Sequence, residues 1–232
     1  MDLSSTDDGL KRAAAEAAVA LVEDGMTLGL GTGSTARWFV AGVAARLREG
    51  TLARVRGVPT SEATARQARE EGIELVELPA AGVDLAVDGM DELAPSLDAI
   101  KGLGGALLRE KVVAASARRF VLVGDESKLV SRLGEKAPVP VEVVPFGLAR
   151  TVALLAGLGA DARLRPGDGR PFVTDNGNHV VDCRFAGPFD PEELQAELAA
   201  LPGVVEHGLF LGMADLAFVA GAGGVRRLEA RG

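Results

Sequence analysis

The sequence predicts an α/β protein with a large first part and a smaller second part. Before residue 133, short apolar runs alternate with segments whose apolar residues recur at helical spacing. Between residues 137 and 145 three prolines occur within nine residues, and the alternation stops there. The 232 residues are 47% hydrophobic and 25% charged, which provides ample material for a buried core and excludes disordered and collagen-like classes.

The first helix candidate spans residues 10–22, with Ser5 or Asp7 as its cap and Asp24-Gly25 at its end. A short apolar strand at 26–30 follows and leads into a glycine-rich turn. The helix after this turn has an apolar inner side made of Phe39, Val40, Val43, Ala44 and Leu47. The segment therefore predicts a helix, a strand, a glycine loop and a second helix.

Strand and helix candidates continue to alternate up to residue 124. They are a strand at 55–58, a helix opened by Thr60-Ser61-Glu62, a short strand at 74–78, a strand at 83–87, a helix at 105–118 and a strand at 119–124. Strands joined by crossover helices run parallel, and the sheet that they form is covered on both faces. We therefore expect residues 1–132 to form a Rossmann-like, mostly parallel sheet with helices on both faces.

Residues 133–207 are expected to form a smaller α+β domain of the ferredoxin-like βαββα type. Its elements are a helix at 147–158, a hairpin within 162–185 and a helix opened by Asp190-Pro191. Residues 208–232 contain further apolar strand candidates. Of these, the run at 216–219 is expected to return and pair with the first sheet.

Charge and cysteine content exclude several classes of partner. With 33 acidic and 25 basic residues the net charge is −8, which opposes binding along a phosphate backbone, so no nucleic-acid partner is expected. Cys183 is the single cysteine, which rules out an intramolecular disulfide framework and suits a reducing cytosol. No stretch approaches the ~20 apolar residues that span a bilayer, and residues 1–8 lack the plan of a signal peptide. We expect a soluble, cytoplasmic protein with no membrane partner.

The glycine-rich turn Gly31-Thr32-Gly33-Ser34-Thr35 is a candidate anion site. Its glycines let backbone N–H groups approach an anion, and Ser34 or Thr35 is expected to cap the next helix beside its positive end. The turn lacks the Gly-Lys-Ser/Thr ending of a nucleotide-binding P-loop, and Ser34 stands where the dinucleotide fingerprint has its third glycine. A phosphate is therefore favoured over a dinucleotide, with a tight turn that binds nothing as the alternative.

An acidic cluster, Asp88-Gly89-Met90-Asp91-Glu92, follows the strand at 83–87 and lies at the sheet edge where such folds bind ligands. These carboxylates could bind a divalent metal ion, hold sugar hydroxyls or relay protons. The spacing does not separate these uses, and an ordinary solvated loop in a chain this acidic has the same composition.

Residues 101–111 form a second glycine-rich entry to a helix. The helical neighbours of Glu110 are all apolar: Ala106, Leu107, Val113 and Ala114. Such surroundings raise the pKa of a carboxyl group, in the direction that a general base near neutral pH requires. A salt bridge to a distant residue, or a partly exposed position at the edge of the apolar stripe, is the alternative.

A lysine is expected to reach the same sheet edge from another strand. Lys128 follows the strand at 119–124 and could lie near the acidic cluster and a substrate oxygen, with a surface lysine as the alternative. His179 and His207 have no catalytic context, and Cys183 lies in a strand pattern that predicts a small buried side chain.

Together these motifs resemble the A-type family of ribose-5-phosphate isomerases. The resemblance runs from about Leu10 to the C-terminal strands. Its motifs are the glycine turn at 31–35, the acidic cluster at 88–92, Lys101-Gly102-x-Gly104 with Leu107-Leu108-Arg109-Glu110-Lys111, and Asp125-Glu126-Ser127-Lys128. Met90 and Leu103 depart from the family pattern, which has alanine and glycine there, at positions whose side chains supply no chemistry.

The resemblance implies that D-ribose 5-phosphate and D-ribulose 5-phosphate are interconverted through an enediolate, without metal or organic cofactor, as a step of the pentose phosphate pathway. Residues 1–132 would then be the catalytic domain. The implied catalytic residues are Glu110 as the base, Asp88 and Asp91 at the sugar hydroxyls, and Lys101 and Lys128 as charges that offset the enediolate. The implied substrate-binding residues are Lys11, Thr32, Gly33, Ser34, Thr35, Asp88, Gly89, Met90, Asp91, Lys101, Gly102, Leu103, Gly104 and Lys128. A homodimer or homotetramer is also implied.

Three alternatives remain at this point. An amino-sugar-phosphate deaminase or a coenzyme A transferase with a glutamate nucleophile would use a related scaffold, but those families lack this set of loops together. A sugar-phosphate sensor that binds at the same edge without turnover would not need Glu110. A nicotinamide-dependent dehydrogenase is disfavoured by the glycine turn.

Overall fold

The computed structural model describes residues 7–229. Ser5, one of the two candidate caps of the first helix, lies outside these residues. Within 7–229, every helix is too short or too polar to cross a membrane.

Helices and strands alternate along the first half of the chain, as predicted. The helices are α1 (Asp7–Val19), α2 (Ala36–Arg48), α3 (Glu62–Glu70), α4 (Leu107–Ala115), α5 (Leu148–Gly157) and α6 (Pro191–Ala200). The strands are β1 (Thr27–Leu30), β2 (Arg56–Pro59), β3 (Glu74–Leu75), β4 (Leu85–Gly89), β5 (Glu92–Leu93), β6 (Ala99–Ile100), β7 (Phe120–Asp125), β8 (Val139–Val143), β9 (Ala160–Leu164), β10 (His179–Phe185), β11 (Val204–His207), β12 (Leu209–Phe210), β13 (Leu216–Gly221) and β14 (Gly224–Glu229).

The described chain divides into two compact units. The first comprises the residues up to Met90, Arg109–Leu129 and those from Gly212 onward, and the second comprises Asp91–Leu108 and Val130–Leu211. The sequence-based boundaries kept residues 91–108 with the first part. In the structure they join the second unit, because β5 and β6 form a small antiparallel sheet with β12. Where independently folding domains begin and end stays a prediction.

The first unit contains a seven-stranded sheet with the order β14-β13-β7-β4-β1-β2-β3. All neighbouring strands are parallel except β13 and β14, so the prediction of a mostly parallel sheet is confirmed. The predicted return of residues 216–219 is also confirmed, since β13 pairs with β7. Strands β1 and β4 are neighbours, but the chain continues from β1 to β2 on one side and from β4 towards β7 on the other, so the loops that leave β1 and β4 diverge. A topological switch point of this kind opens a crevice at the carboxyl edge of the sheet.

The middle of this sheet is buried along its length. Every residue of β1 and of β7 is buried, as expected for strands covered on both faces. Gly29 in β1 allows α4 to pack closely, because a Cβ atom at this position would lie 2.5 Å from Val113 Cγ1. The close packing fixes α4, which carries Glu110, against the strand that leads into the glycine loop.

The second unit contains a four-stranded antiparallel sheet with the order β11-β8-β10-β9. With α5 after β8 and α6 after β10, this is the βαββαβ arrangement of ferredoxin-like domains, so the α+β prediction is confirmed. Side chains of both helices share its core with strand residues, among them Val141, Val181, Leu155 and Leu198.

Candidate active site

The glycine loop after β1 and the acidic segment after β4 lie against each other in the first unit. The Gly31 amide donates to the Val87 carbonyl at 3.0 Å, which continues the strand pairing beyond the end of β1. A Cβ atom at position 31 would lie 2.4 Å from Asp88 Oδ1 and 2.5 Å from Asp88 Cα. Only glycine therefore allows this approach of the two backbones.

Asp88 is held by backbone donors. It is buried, and its Oδ1 accepts from the amide of Thr32 at 3.0 Å and from its neighbour Gly89 at 2.7 Å. Both donors belong to segments that were predicted to bind substrate. The carboxylate and the glycine loop therefore hold each other in place.

A cluster of buried hydroxyl groups fixes the glycine loop from below. Thr32 Oγ1 lies 2.7 Å from Thr60 Oγ1, 2.9 Å from Ser61 Oγ and 3.1 Å from Thr64 Oγ1. The Thr60 and Thr64 hydroxyls donate in turn to the carbonyls of Leu30 and Gly31 at 3.1 and 3.0 Å. Because the Thr60 and Thr64 protons are directed to these carbonyls, Thr32 donates its own single proton within the cluster, to Ser61 Oγ.

The sequence did not predict this hydroxyl cluster. It assigned Thr60 and Ser61 only to the start of a helix. Ser61 is indeed the N-cap of α3, and its Oγ accepts from the Thr64 amide at 3.1 Å. A run of small hydroxyl residues at a helix start is ordinary capping chemistry, so no local signal distinguished the second role.

The tip of the glycine loop is exposed. Gly33 has a φ of +109°, and both Gly33 and Ser34 are exposed to solvent. Of the two candidate caps, Ser34 and Thr35, the choice of Thr35 is wrong: it occupies the N-cap position of α2, but its backbone is already helical and its side chain makes no cap hydrogen bond. The start of α2 is therefore an unusual one, without the side-chain oxygen that normally covers the first amide groups.

Lys11 lies on α1, whose first turn contacts α2 near the same loop. Arg37 at the start of α2 forms an ion pair with Asp8 at 3.0 Å. Lys11 donates to Asp7 at 2.5 Å, and its side chain is only 13% exposed although Asp7 is 74% exposed. A mostly covered lysine that pairs with a solvated carboxylate can exchange that partner for a phosphate at small cost.

Glu110 faces the same crevice as Asp88. Both residues line a narrow gap that is too small for a water molecule, together with Gly29, Gly31, Thr60, Ala86, Val87, Val113, Ala114 and Phe120. Glu110 is 5% exposed, so the alternative of a partly exposed position at the edge of the stripe is wrong. Its neighbour Arg109 pairs with Glu62 at 2.9 Å, and this hydrogen bond lowers the pKa of Glu62.

Lys128 reaches the edge of the sheet from β7, which is the strand next to β4. It ends a short 3₁₀ turn, Glu126–Lys128, that Asp125 caps by accepting from the Ser127 amide at 2.9 Å. A Cβ atom at Gly124 would lie 2.6 Å from Met90 Cε and 3.5 Å from Lys128 Cγ. Lys128 and Met90 therefore flank the same strand end.

The remaining candidates belong to the second unit. Asp91 Oδ2 accepts from the Leu103 amide at 2.9 Å. Lys101 is only 2% exposed, and its ammonium lies 5.4 Å from the centre of the Phe210 ring. Gly102 adopts a φ of +106°, while Leu103 is 44% exposed and Gly104 is exposed as well.

Glu92, the last residue of the acidic cluster, has a structural role. It is fully buried, and its carboxylate accepts from the amides of Gly134, Lys136 and Ala137. Three backbone donors make this side chain the anchor of the segment that precedes β8. Within residues 7–229, no group of three or more His, Cys, Asp and Glu side chains is arranged to hold a metal ion.

The histidines and the cysteine have structural contacts, as the sequence suggested. His179 Nδ1 lies 2.8 Å from the Phe172 carbonyl, and His207 is buried with its Nδ1 3.3 Å from the Leu209 amide. Cys183 is 1% exposed, and burial raises the pKa of its thiol to about 12.

Comparison with known proteins gives a consistent result. The family model for ribose 5-phosphate isomerase A (phosphoriboisomerase A) matches residues 56–224. The ribose-5-phosphate isomerase A of Roseiflexus castenholzii is 57% identical over 226 residues, which cover 96% of this chain and 97% of that protein. The corresponding protein of Deinococcus radiodurans is 48% identical and covers 95% and 98%.

Solved structures agree over nearly the whole chain. The ribose 5-phosphate isomerase of Plasmodium falciparum superposes with a TM-score of 0.94 at 38% identity, covering 97% of this chain and 100% of that one. A D-ribose-5-phosphate isomerase in complex with phospho-erythronic acid gives a TM-score of 0.93 at 39% identity, with 97% and 99% covered.

Proposed function

The chain belongs to the ribose-5-phosphate isomerase A family, and from this premise we propose how its residues interconvert D-ribose 5-phosphate and D-ribulose 5-phosphate. The protein is an aldose–ketose isomerase. In this family the reaction is a step of the pentose phosphate pathway. The chemistry requires a base that moves a proton between C2 and C1, and charges that stabilise the enediolate formed in between.

Glu110 is the base in this proposal. The observation that carries the assignment is that Glu110 is a buried carboxylate in the same crevice as Asp88, with a lining that is otherwise mostly apolar. A dry, apolar wall leaves the carboxylate poorly solvated when charged, which favours accepting a proton from a weak carbon acid. Asp88 is oriented for hydrogen bonds with sugar hydroxyls by its two backbone donors.

Asp91, Lys101 and Lys128 complete the proposed catalytic set. Asp91 binds a hydroxyl of the open-chain sugar and assists proton exchange between O1 and O2. The ammonium groups of Lys101 and Lys128 offset the negative charge of the enediolate. Lys101 is the more buried of the two, so its charge is less screened by water.

The phosphate is assigned to the tip of the glycine loop and to Lys11. Gly33, Ser34 and Thr35 provide backbone donors and hydroxyls at the start of α2, where the helix dipole favours an anion. Thr32 was expected to hold substrate, and in this structure its amide donates to Asp88 while its hydroxyl joins the hydroxyl cluster. We assign Thr32 the positioning of the loop. The remaining binding residues are Gly89, Met90, Gly102, Leu103 and Gly104.

The test is the loss of turnover in Glu110→Gln, which keeps the size of the side chain and removes the base. We expect the rate of ribulose 5-phosphate formation to fall by roughly 10²–10⁴-fold with the circular dichroism spectrum unchanged. Glu70→Gln, an exposed substitution on α3, is the matched control and should leave the rate unchanged. Wild-type turnover in Glu110→Gln would remove Glu110 from the mechanism.

The oligomeric state is proposed from the family resemblance, and the compartment from the sequence. We infer a homodimer or homotetramer, which light scattering coupled to size-exclusion chromatography tests directly. A cytoplasmic location fits the single cysteine, whose buried thiol has no disulfide partner in the chain.

A further inference from the structure

The loop that carries Lys101 and Leu103 is held by a side chain to which nothing above assigns a role. Arg165 follows β9 in the second unit, and its side chain is 11% exposed. Its Nη1 donates to the carbonyls of Gly102 and Leu103, both at 2.9 Å. Its other edge, Nε and Nη2, donates to the two carboxylate oxygens of Asp182 on β10.

One peptide bond connects this guanidinium to Asp91. The Gly102 carbonyl, which accepts from Arg165, and the Leu103 amide, which donates to Asp91 Oδ2 at 2.9 Å, belong to the same peptide group. A cation at the oxygen of a peptide polarises it and makes its N–H a stronger donor. The orientation of the peptide and the strength of its bond to Asp91 therefore both depend on Arg165.

The Gly102 carbonyl also accepts from the Gly105 amide at 2.9 Å, so a turn hydrogen bond and the guanidinium of Arg165 hold the same peptide oxygen. Gly102 and Gly105 both adopt positive φ values, +106° and +81°, which are accessible to glycine and leave the chain free to take other paths. The ring of Phe172 lies against Gly105, since a Cβ atom there would be 2.4 Å from Phe172 Cζ, and the guanidinium carbon of Arg165 lies 5.8 Å from the centre of the same ring. The connection between β9 and β10 thus braces the loop at two points.

We propose that Arg165 is a positioning residue for the isomerisation, which orients the Asp91 carboxylate through the peptide bond between Gly102 and Leu103. The inference rests on the proposed role of Asp91. Arginine suits the task because its planar group binds the Asp182 carboxylate with one edge and the two carbonyls with another nitrogen, which a lysine ammonium does less completely.

The test compares Arg165→Met with Arg163→Met. Arg163 lies on β9, two residues before Arg165, and forms an ion pair with Asp161, but its side chain is 79% exposed. We expect Arg165→Met to lower kcat by about 10–100-fold, the size of effect that a misplacement of about 1 Å produces. Arg163→Met should keep the wild-type kcat, and Arg165→Lys should recover part of the loss.

Repeating the Arg165 substitution in an Asp91→Asn protein separates a positioning role of Arg165 from a general structural role. If Arg165 acts through Asp91, then Arg165→Met should change kcat far less in an Asp91→Asn protein, because the carboxylate that it orients is already altered. The same fold loss in both backgrounds, or a wild-type kcat in Arg165→Met, overturns the inference. If Arg165→Met does not fold, Arg165→Lys is compared in the two backgrounds with the same criteria.

The wild-type protein in the same assay tests the proposed function separately. A wild-type protein that does not convert ribose 5-phosphate contradicts the proposed function. A wild-type protein that is active, with a strong loss in Asp91→Asn and none in Arg165→Met, contradicts only the role of Arg165.

Discussion

Substituting Gly31 by alanine tests whether the contact between the glycine loop and Asp88 is needed for activity. The added Cβ atom would lie 2.4 Å from Asp88 Oδ1 and 2.5 Å from Asp88 Cα and Cγ. Non-bonded carbon atoms prefer separations of about 3.5–4.0 Å, so the two segments must move apart by about 1 Å. One of the close atoms belongs to the backbone, and a side-chain rotation alone therefore cannot relieve the clash.

Two consequences follow for the Gly31→Ala protein. Overpacking of this kind lowers the free energy of unfolding by about 1–3 kcal/mol, which a urea titration measures. The displacement of Asp88 by about 1 Å should also lower kcat by about 10²-fold. Steady-state conversion of ribose 5-phosphate to ribulose 5-phosphate is the assay.

Gly157→Ala is the control, because a Cβ atom at the end of α5 would meet no atom within 4 Å. This variant should keep the wild-type kcat and unfold at a similar or slightly higher urea concentration. The reasoning is refuted if Gly31→Ala has both the kcat and the unfolding midpoint of the wild-type protein.

The other predictions concern the hydroxyl cluster, metal dependence and the thiol. Thr32→Val keeps the shape of the side chain but removes a hydroxyl with three buried partners. Urea titration should show that the free energy of unfolding falls by about 1–3 kcal/mol, and kcat/KM should also fall. Unchanged values would mean that the cluster does not hold the loop. Activity should survive exhaustive chelation, because the Glu92 carboxylate already accepts from three backbone amides and is not free to join a metal site with Asp88 and Asp91. Activity that returns only with added metal would contradict this prediction. Burial raises the pKa of the Cys183 thiol to about 12, so the thiol is protonated at pH 8. A thiol reagent at pH 8 should therefore label the native protein far more slowly than the urea-unfolded chain. Equal labelling rates would show that Cys183 is accessible in the native protein.

The parts of the fold that could be predicted are those that depend on local pattern. Apolar runs bounded by glycine mark β1, β4 and β7, and the helical spacing of apolar residues marks α2 and α4, because each pattern reflects a period within one segment. The return of β13 could be predicted because the run at 216–219 is apolar enough for a buried strand.

The parts that could not be predicted depend on partners distant in sequence. Strands β5 and β6 have two residues each and exist through pairing with one another and with β12, more than a hundred residues later. The acceptors of Arg165 lie 62 and 63 residues earlier in the chain, and the donors to Glu92 lie 42 to 45 residues later. No periodicity or motif reports such contacts.

The candidate site also has a part that the sequence predicts and a part that it does not. Its motifs identified which residues to consider, since glycine turns and acidic segments after strands have recognisable compositions. The use of each side chain depended on geometry: Thr32 directs its hydroxyl to Thr60 and its neighbours, Glu92 anchors a distant segment, and Thr35 makes no cap hydrogen bond. Residues of the same type within one motif therefore have different roles.

The most direct test of the central claim is proton exchange at the substrate carbon in deuterated water, measured for the wild-type and Glu110→Gln proteins with ribose 5-phosphate. The account predicts that the wild-type protein forms ribulose 5-phosphate and exchanges the transferred proton with solvent, and that Glu110→Gln, folded and able to bind the sugar phosphate, does neither at a comparable rate. Exchange and product formation at the wild-type rate in Glu110→Gln would contradict the assignment of Glu110 as the base.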